Sequence, residues 1–312
     1  MFDTPISRDG NTISGPFRAP KQMLEDQSYD GSGKGSIHDD SMAEKLGFTA
    51  GPIEGPTHFS QFDPLLFDIW GKAWFEKGCF SSHFKNMVVE GEEVQAFVEL
   101  PENDSQTRLK CWAVKKDGTP VLEASATLGE GPTLLEERKA KLRPPEKLVI
   151  LEKLHVGMKG AVDEIATMGA DQHMGKLYPF SLKDKLEVIT ENAPAYSDDS
   201  ASPWGRAIIP TEMMSVLSEY TVHDAKFPLK RPAIGLFADL EVRYVNGPLF
   251  VGETYLIRRE IEALSESRRT ESYWTRTKVF DKTGETLIAE TLLNHAVMKN
   301  SYPKYEEELA AM

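Results

Sequence analysis

The chain has 312 residues, 40% of them hydrophobic, and a formal net charge of −13. This length can bury the cores of two units of about 130 residues each. The excess of acidic residues argues against a surface for nucleic acid or an anionic membrane, which needs clustered Lys and Arg, but it leaves room for an anionic small molecule in one local pocket. The two cysteines, Cys79 and Cys111, are too few for a disulfide framework and predict buried free thiols.

Neither a secretion signal nor a membrane span is evident. Residues 1–10 lack a basic region followed by an apolar run. No apolar run approaches the roughly 18 residues that a span needs. We therefore expect a cytoplasmic protein.

The N-terminal part predicts a loop followed by two helices. Residues 1–36 are rich in Gly, Ser, Pro and Asp and predict a loop or arm on the body of the protein. A short helix is expected over 41–47. After Gly55 and Pro56, apolar residues recur every three or four positions, which is typical of a helix with one face on a core; they are Phe59, Phe62, Leu66 and Ile69. Pro64 should kink or divide this long helix.

Strand patterns follow the long helix. Residues 94–100 and 108–114 have the character of strands, and 121–128 returns as the partner of 108–114 after the Asp117-Gly118 turn. The first unit is therefore a short helix, a long apolar helix and an antiparallel meander.

The second half is expected to repeat this order. A charged segment with two prolines, 136–146, indicates a connector. We expect an entry strand at 186–190, a helix over about 211–220 and strands at 238–245, 254–264, 270–280 and 286–298. The predicted division is an arm (1–36), a first unit (37–130), a connector (131–185), a second, diverged unit (186–300) and a solvated tail (301–312).

Four short matches in the same order indicate an internal repeat. The matched segments are 38–40 with 197–199, 56–57 with 210–211, 91–92 with 252–253, and 124–129 with 289–294. Their offsets lie between 154 and 165 residues, a consistency that chance would rarely produce. The halves differ at two matched points, where His38 and His58 correspond to Ser197 and Glu212.

An apolar helix cradled by a curved antiparallel sheet, made twice and fused, is a tandem (double) hot-dog architecture of the α+β class. The sequence resembles the MaoC-like acyl dehydratases, also called R-specific enoyl-CoA hydratases, at 36–48, at the Pro-Ile-Glu-Gly step of 52–55, and at Phe84, seven residues before Gly91. Residues 202–205 and 209–211 resemble the diverged partner domain of double hot-dog members. The resemblance covers most of 30–129 and, more weakly, 186–298.

The resemblance implies an acid/base histidine. The family's Gly-Asp-x-Asn-Pro-x-His motif positions an Asp and a His on one water for addition to the double bond of a thioester. His38 matches the histidine, and imidazole can move a proton in either direction near neutral pH. Gly33 occupies the position of the family's Asp, so Asp30 reaches in, another carboxylate replaces it, or hydratase chemistry has been lost. The structural alternatives are an N-cap-region role for His38 and a turn role for Asp30.

The start of the long helix is the second candidate region. The resemblance implies that Gly55 and the following Pro56 and Thr57 surround the thioester carbonyl, where free N–H groups stabilise a developing enolate. His58 lies in the first helical turn, where the positive helix end favours a neutral imidazole. If the two helix starts meet at one cavity, His58 and Glu212 form an acid/base pair; otherwise they are a core polar residue and a helix-stabilising Glu.

The remaining candidates are weaker. Arg206 beside Trp204 could hold a carboxylate or phosphate of the substrate, or stack at the surface. His155, His173, His223 and His295 have no metal-ligand spacing, and no metal or other cofactor is expected.

Three functions stay open at this point. The leading one is a lyase for reversible hydration or dehydration of an enoyl or 3-hydroxyacyl substrate, a small molecule that the resemblance implies is a CoA thioester. The second is a hot-dog acyl-CoA thioesterase that uses Glu212. The third is a non-catalytic acyl-binding subunit, which the lost Asp and Ser197 would permit. A homodimer of double hot-dog protomers is compatible with all three.

Overall fold

The fold is given by a computed structural model that describes residues 1–27, 36–103 and 105–312. The first half contains strands β1 (Ser7–Asp9) and β2 (Thr12–Ser14), helix α1 (Asp40–Lys45), a 3-10 helix (Gly55–Gln61), α2 (Asp63–Trp70), α3 (Ala73–Lys77) and strands β3 (Gly78–Phe84), β4 (Val94–Glu99), β5 (Arg108–Lys115) and β6 (Pro120–Leu128).

The second half, which is described throughout, contains five further strands and four further α-helices. They are α4 (Leu134–Lys139), β7 (Glu164–Thr167), α5 (Leu182–Val188), α6 (Met213–Glu219), β8 (Gly235–Tyr244), β9 (Thr254–Glu266), β10 (Thr270–Asp281), β11 (Leu287–Met298) and α7 (Tyr305–Ala311). Short 3-10 turns lie at Pro194–Tyr196, Asp199–Ala201, Val222–Ala225 and Lys299–Ser301.

The strands of the described chain form one antiparallel sheet. Its order is β1-β2-β4-β5-β6-β3-β8-β11-β10-β9-β7. The two units meet where β3 pairs with β8, with Phe80 opposite Val242. From this junction outward, the order is β3-β6-β5-β4 on one side and β8-β11-β10-β9 on the other. In both sets the first strand along the chain is innermost and is followed by the fourth, the third and the second. The result is a single sheet shared by both units.

The long apolar helix of the first unit is divided, as predicted for Pro64. The 3-10 helix ends at Gln61 and α2 begins at Asp63, because a proline without an N–H suits a first helical turn and not a helix interior. The rings of Phe59 and Phe62 pack on Phe80 of β3, with centroids 4.8 and 4.6 Å apart. These contacts place the helical segment on the face of the sheet.

The central helix of the second unit, α6, is buried along its whole length. Its apolar residues Met213, Met214, Val216 and Leu217 belong to the same hydrophobic cluster as Phe59 and Phe62. One core therefore runs through both units and fixes their two central helices with respect to each other.

Three local predictions are wrong. Residues 186–190 are not an entry strand, because Ser181 and Asp184 form a capping box that starts α5. The arm contains two short strands, and Ile13 of β2 pairs with Val98 of β4. The tail is not simply solvated, because it forms α7, in which Tyr305 is buried. The segment predicted as a connector contains α4 and β7. The boundaries of the predicted division stay predictions.

Two further features bear on the expectations from the sequence. Cys79 and Cys111 are buried free thiols, as predicted. Within the residues that the structure covers, no helix combines the length and the apolar character required to cross a bilayer.

Candidate active site

A cavity of about 710 Å³ is lined by residues of both units. Much of its wall is apolar, with Ile53 and Phe84 from the first unit and Leu236 and Phe237 from the second. Its polar lining includes two carboxyl groups and four imidazoles that are shielded from solvent to different degrees: Glu54, Glu219, His38, His58, His223 and His295. Such a mixture can hold an apolar chain and carry out proton transfer.

His38 lies in the turn before α1 and is half-buried. Its Nδ1 is 2.7 Å from the carbonyl oxygen of Pro52. A carbonyl only accepts, so Nδ1 is the protonated nitrogen and Nε2 carries the lone pair. Burial lowers the pKa of His38 to about 4, although the bond to Pro52 opposes this shift. The imidazole is therefore neutral at pH 7, in the form of a base.

The neighbouring aspartates hold this turn in place. Asp39 is the N-cap of α1 and accepts from the amide of Met42. Asp40 accepts from the amide of Gly51 at 2.8 Å. A Cβ at Gly51 would lie 2.2 Å from the carbonyl oxygen of His38, so only glycine permits this approach. His38 is therefore fixed to the 51–55 segment and is not bonded to the helix it precedes.

Glu54 belongs to the same segment and is not among the residues predicted from the sequence. Glu54 is 7% exposed, and the hydroxyl group of Ser215 of α6 donates to its Oε1 at 3.1 Å. Burial raises the pKa of Glu54 to about 7, while Lys185 and Ser215 act to lower it. The carboxyl group can thus exchange a proton near neutral pH. The feature of the sequence that could have identified Glu54 is a carboxylate between Ile53 and Gly55, at the start of a predicted helix.

Gly55 and His58 occupy the adjoining wall of the cavity. A Cβ at Gly55 would lie 2.8 Å from Cε1 of Phe84, so the ring of Phe84 packs directly on the backbone at the helix start. His58 is 2% exposed, and burial, followed by the charges of Lys185 and Lys115, lowers its pKa to about 3. Its neutral state is the predicted one, but burial is the larger cause.

The two helix starts meet through a lysine. Lys185 of α5 is buried, with Nζ 3.2 Å from Oε1 of Glu212 and 3.1 Å from Oγ1 of Thr57. Burial raises the pKa of Glu212 and Lys185 opposes this shift. Glu212 itself is not part of the cavity lining. Glu212 thus forms an ion pair with Lys185 and not the predicted acid/base pair with His58.

Neither a family model nor a curated protein matches the sequence. Solved structures do match the fold. One is a protein assigned as a MaoC-domain dehydratase from Chloroflexus aurantiacus, with a TM-score of 0.55 at 15% identity, covering 96% of this chain and 98% of that chain. A MaoC-like dehydratase has a TM-score of 0.51 at 13% identity, covering 94% and 98%.

A third match is a conserved hypothetical protein from Mycobacterium tuberculosis that is described as having a double hotdog fold. Its TM-score is 0.50 at 11% identity, and the alignment covers 85% of this chain and 88% of that chain. The fold is a double hot-dog. The α+β class and the tandem architecture predicted from the sequence are confirmed by these likenesses.

Several predicted site residues of the double hot-dog lie away from its cavity. Trp204 donates to Glu76 at 2.9 Å, and Arg206 pairs with Glu253 at 2.9 Å and stacks on Phe250. These two residues, and also Pro56 and Thr57, are outside the lining, and their roles in substrate binding stay predictions. Asp30 and Gly33 are outside the described residues.

Proposed function

We propose that the protein is a hydro-lyase that interconverts an enoyl thioester and a 3-hydroxyacyl thioester, with CoA as the thiol that the family resemblance implies. The observation that carries this proposal is the pair His38 and Glu54 on one partly apolar cavity. One group is a neutral imidazole whose lone pair is on Nε2, and the other is a carboxyl group with a pKa of about 7. Addition of water to a double bond needs such a base and such an acid.

In the direction of hydration, Nε2 of His38 takes a proton from water while the water oxygen bonds to C3 of the enoyl group. The electron pair of the double bond moves to C2, which takes the proton of the Glu54 carboxyl group. The product is the 3-hydroxyacyl thioester, with His38 as imidazolium and Glu54 as carboxylate. Transfer of one proton from His38 to Glu54 through solvent restores the starting state, and dehydration is the reverse sequence.

Charge develops on the thioester carbonyl during this step, because the electron pair at C2 is shared with the carbonyl oxygen. We assign its stabilisation to the backbone N–H group of Gly55, because Pro56 has no N–H and the N–H of Thr57 donates to the carbonyl oxygen of Glu54. Phe84 packs on Gly55 and keeps this backbone at the cavity wall.

The likeness in fold to proteins named as MaoC dehydratases supports the same class of reaction. The thioesterase alternative required Glu212 to attack the thioester or to activate water. That carboxylate is held by Lys185 outside the cavity lining, which makes hydration the better-supported function.

The test is incubation with crotonyl-CoA while the enoyl absorbance and free thiol are followed separately. Loss of absorbance without thiol release is expected. Thiol release would indicate a thioesterase, and neither signal would indicate a binding subunit. His38→Ala and Glu54→Gln should each lower kcat by about 100-fold or more, whereas Glu44→Gln on the exposed side of α1 should leave it unchanged. Full activity in both site variants would refute the assignment.

A further inference from the structure

A second polar cluster lies on the wall of the same cavity and takes no part in the proposed reaction. It consists of Glu219, the last residue of α6, and His295 of β11. Their side chains are 4% and 13% exposed, and Oε2 of Glu219 is 3.7 Å from Nε2 of His295.

Both side chains are held rigidly by neighbours. Arg259 donates to Oε1 of Glu219 at 2.8 Å and is itself anchored by two bonds to Glu164. The ring of His295 stacks on Tyr273 with centroids 4.4 Å apart and planes 5° from parallel. Such fixed groups are suited to selecting a ligand, because little ordering is needed when it binds.

One of the two atoms that face each other lacks a hydrogen bond. Within the part of the chain that the structure describes, Nε2 of His295 is buried without a hydrogen-bond partner. Oε2 of Glu219 faces it at 3.7 Å, while Oε1 accepts from Arg259. Burial lowers the pKa of His295 to about 3 and raises that of Glu219 to about 7. The cluster is therefore a neutral imidazole beside a carboxyl group, with capacity both to donate and to accept.

A purely apolar ligand would leave Nε2 of His295 buried and unbonded, which is unfavourable because that nitrogen has given up its hydrogen bonds to water. A hydroxyl group donates one hydrogen bond and accepts others. At an ordinary hydrogen-bond length of about 2.8 Å, one hydroxyl oxygen can reach two atoms that are 3.7 Å apart. A hydroxyl group thus fits the spacing and the chemistry of the cluster.

The helix sets the distance from the reacting groups. Ser215 donates to Glu54, and Glu219 follows four residues later on the same face of α6, about 6 Å further along the helix axis. This separation is comparable with the length of a short extended acyl chain. A thioester that reacts at Glu54 can therefore place the far end of its chain at Glu219.

We propose that Glu219 and His295 bind a hydroxyl group on the acyl chain, so that the preferred substrates are enoyl thioesters hydroxylated beyond the reacting carbons. This inference rests on the proposed function in one respect, because it takes the occupant of the cavity to be an acyl thioester.

The test compares two CoA thioesters of equal length. One is trans-2-hexenoyl-CoA with a terminal hydroxyl group, and the other is trans-2-heptenoyl-CoA, in which a methyl group replaces the hydroxyl. The wild type should favour the hydroxylated thioester by about tenfold in kcat/KM, which corresponds to one hydrogen-bonded group. Equal values, or a preference for the heptenoyl thioester, would overturn the proposal.

His295→Phe removes Nε2 and keeps an aromatic ring against Tyr273. This variant should lose the preference while it retains kcat/KM for the heptenoyl thioester, and His173→Phe at an exposed position should retain both properties. An equal loss for both thioesters in His295→Phe would show a structural or catalytic role and overturn the proposal.

If neither thioester is turned over, the proposed function fails and binding decides the inference. Calorimetry with the saturated hydroxyhexanoyl and heptanoyl CoA thioesters should then give about tenfold tighter binding of the hydroxylated one, with the difference abolished in His295→Phe. Equal affinities in the wild type would refute the hydroxyl site independently of the reaction.

Discussion

At the scale of single residues, the site depends on a base and an acid with opposite pKa shifts. His38 has a pKa of about 4 and is neutral above that pH, and Glu54 has a pKa of about 7 and keeps its proton below that pH. Burial causes both shifts, because it disfavours the charged form of either group. Between these two values, the groups are in the states that hydration requires.

The pH dependence of hydration follows from this assignment. We expect kcat/KM for crotonyl-CoA to be level between about pH 4 and pH 7, to fall below this range as His38 gains a proton, and to fall above it as Glu54 loses its proton. A pH–rate profile checks this, and in Glu54→Gln the alkaline limb should disappear from the residual activity. An alkaline limb that persists in this variant would assign it to another group.

Gly51 is a second residue on which the site depends. A Cβ at this position would meet the carbonyl oxygen of His38 at 2.2 Å, so Gly51→Ala must displace the turn that carries the base. Because a displacement of about 1 Å can cost about 100-fold in rate, we expect kcat to fall at least tenfold. Gly15→Ala is the matched control, since a Cβ at Gly15 would meet no other part of the described chain within 4 Å. Similar rates in both variants would contradict the proposed role of the turn.

At the scale of elements, the positions of α5 and α6 around Glu54 control its charge. Lys185 of α5 is paired with Glu212, at the start of α6, so one ammonium group faces two buried carboxyl groups. Lys185 lowers the pKa of Glu54 and Glu212 raises it. Burial is the largest cause of the raised pKa of Glu54, and the ion pair adjusts the pH at which Glu54 loses its proton.

Opposite pH shifts are expected when either partner is removed. Lys185→Met should move the alkaline limb of the hydration profile to higher pH, because Glu54 loses a stabilising positive charge. Glu212→Gln should move it to lower pH, because Lys185 is then free to favour the carboxylate of Glu54. Shifts of the same sign in both variants would contradict this account.

A folding control accompanies this pair of variants. Removing one partner of a buried ion pair can cost about 3–5 kcal/mol, whereas replacing both by apolar residues is often tolerated. Lys185→Met with Glu212→Leu should therefore be closer to the wild type in its free energy of unfolding, measured by urea denaturation, than Lys185→Met alone. The pH profile is read only from variants that fold.

Local sequence patterns predicted the elements where one period dominates. The alternation of 108–114, with its Asp117-Gly118 turn, gave β5 and β6 because strand pairing there is local. The apolar residues of 186–190 suggested a strand, but Ser181 and Asp184 cap a helix across that segment. The role of Glu54 could not be predicted from local spacing, because its partner Ser215 is 161 residues away in the sequence.

At the scale of the whole molecule, Asp63 joins the two units. This buried carboxyl group accepts from Trp74 and Tyr196 and from both the amide and the hydroxyl group of Thr211. Each of its oxygens receives two donors. If Asn replaced Asp63, its NH2 group would face two hydrogen-bond donors whichever way the side-chain amide is turned.

We expect Asp63→Asn to lower the free energy of unfolding by about 2–4 kcal/mol. Because one core and one sheet run through both units, hydrogen exchange should show equal loss of protection in β5 and β10. Asp68→Asn, at a partly exposed position of α2, is the control and should have a small effect. Loss of protection confined to β5 would show that the units unfold separately.

The lysine bridge between the helix starts has a consequence for how such a chain could arise. The sequence aligns Thr57 with Thr211, yet Thr57 accepts a hydrogen bond from an ammonium group and Thr211 donates one to a carboxyl group. Two identical subunits related by a twofold axis would present equivalent threonines to equivalent neighbours. Covalent linkage of the halves removes this constraint, so substitutions can occur in one half alone, and matched threonines can face a lysine in one half and a carboxyl group in the other.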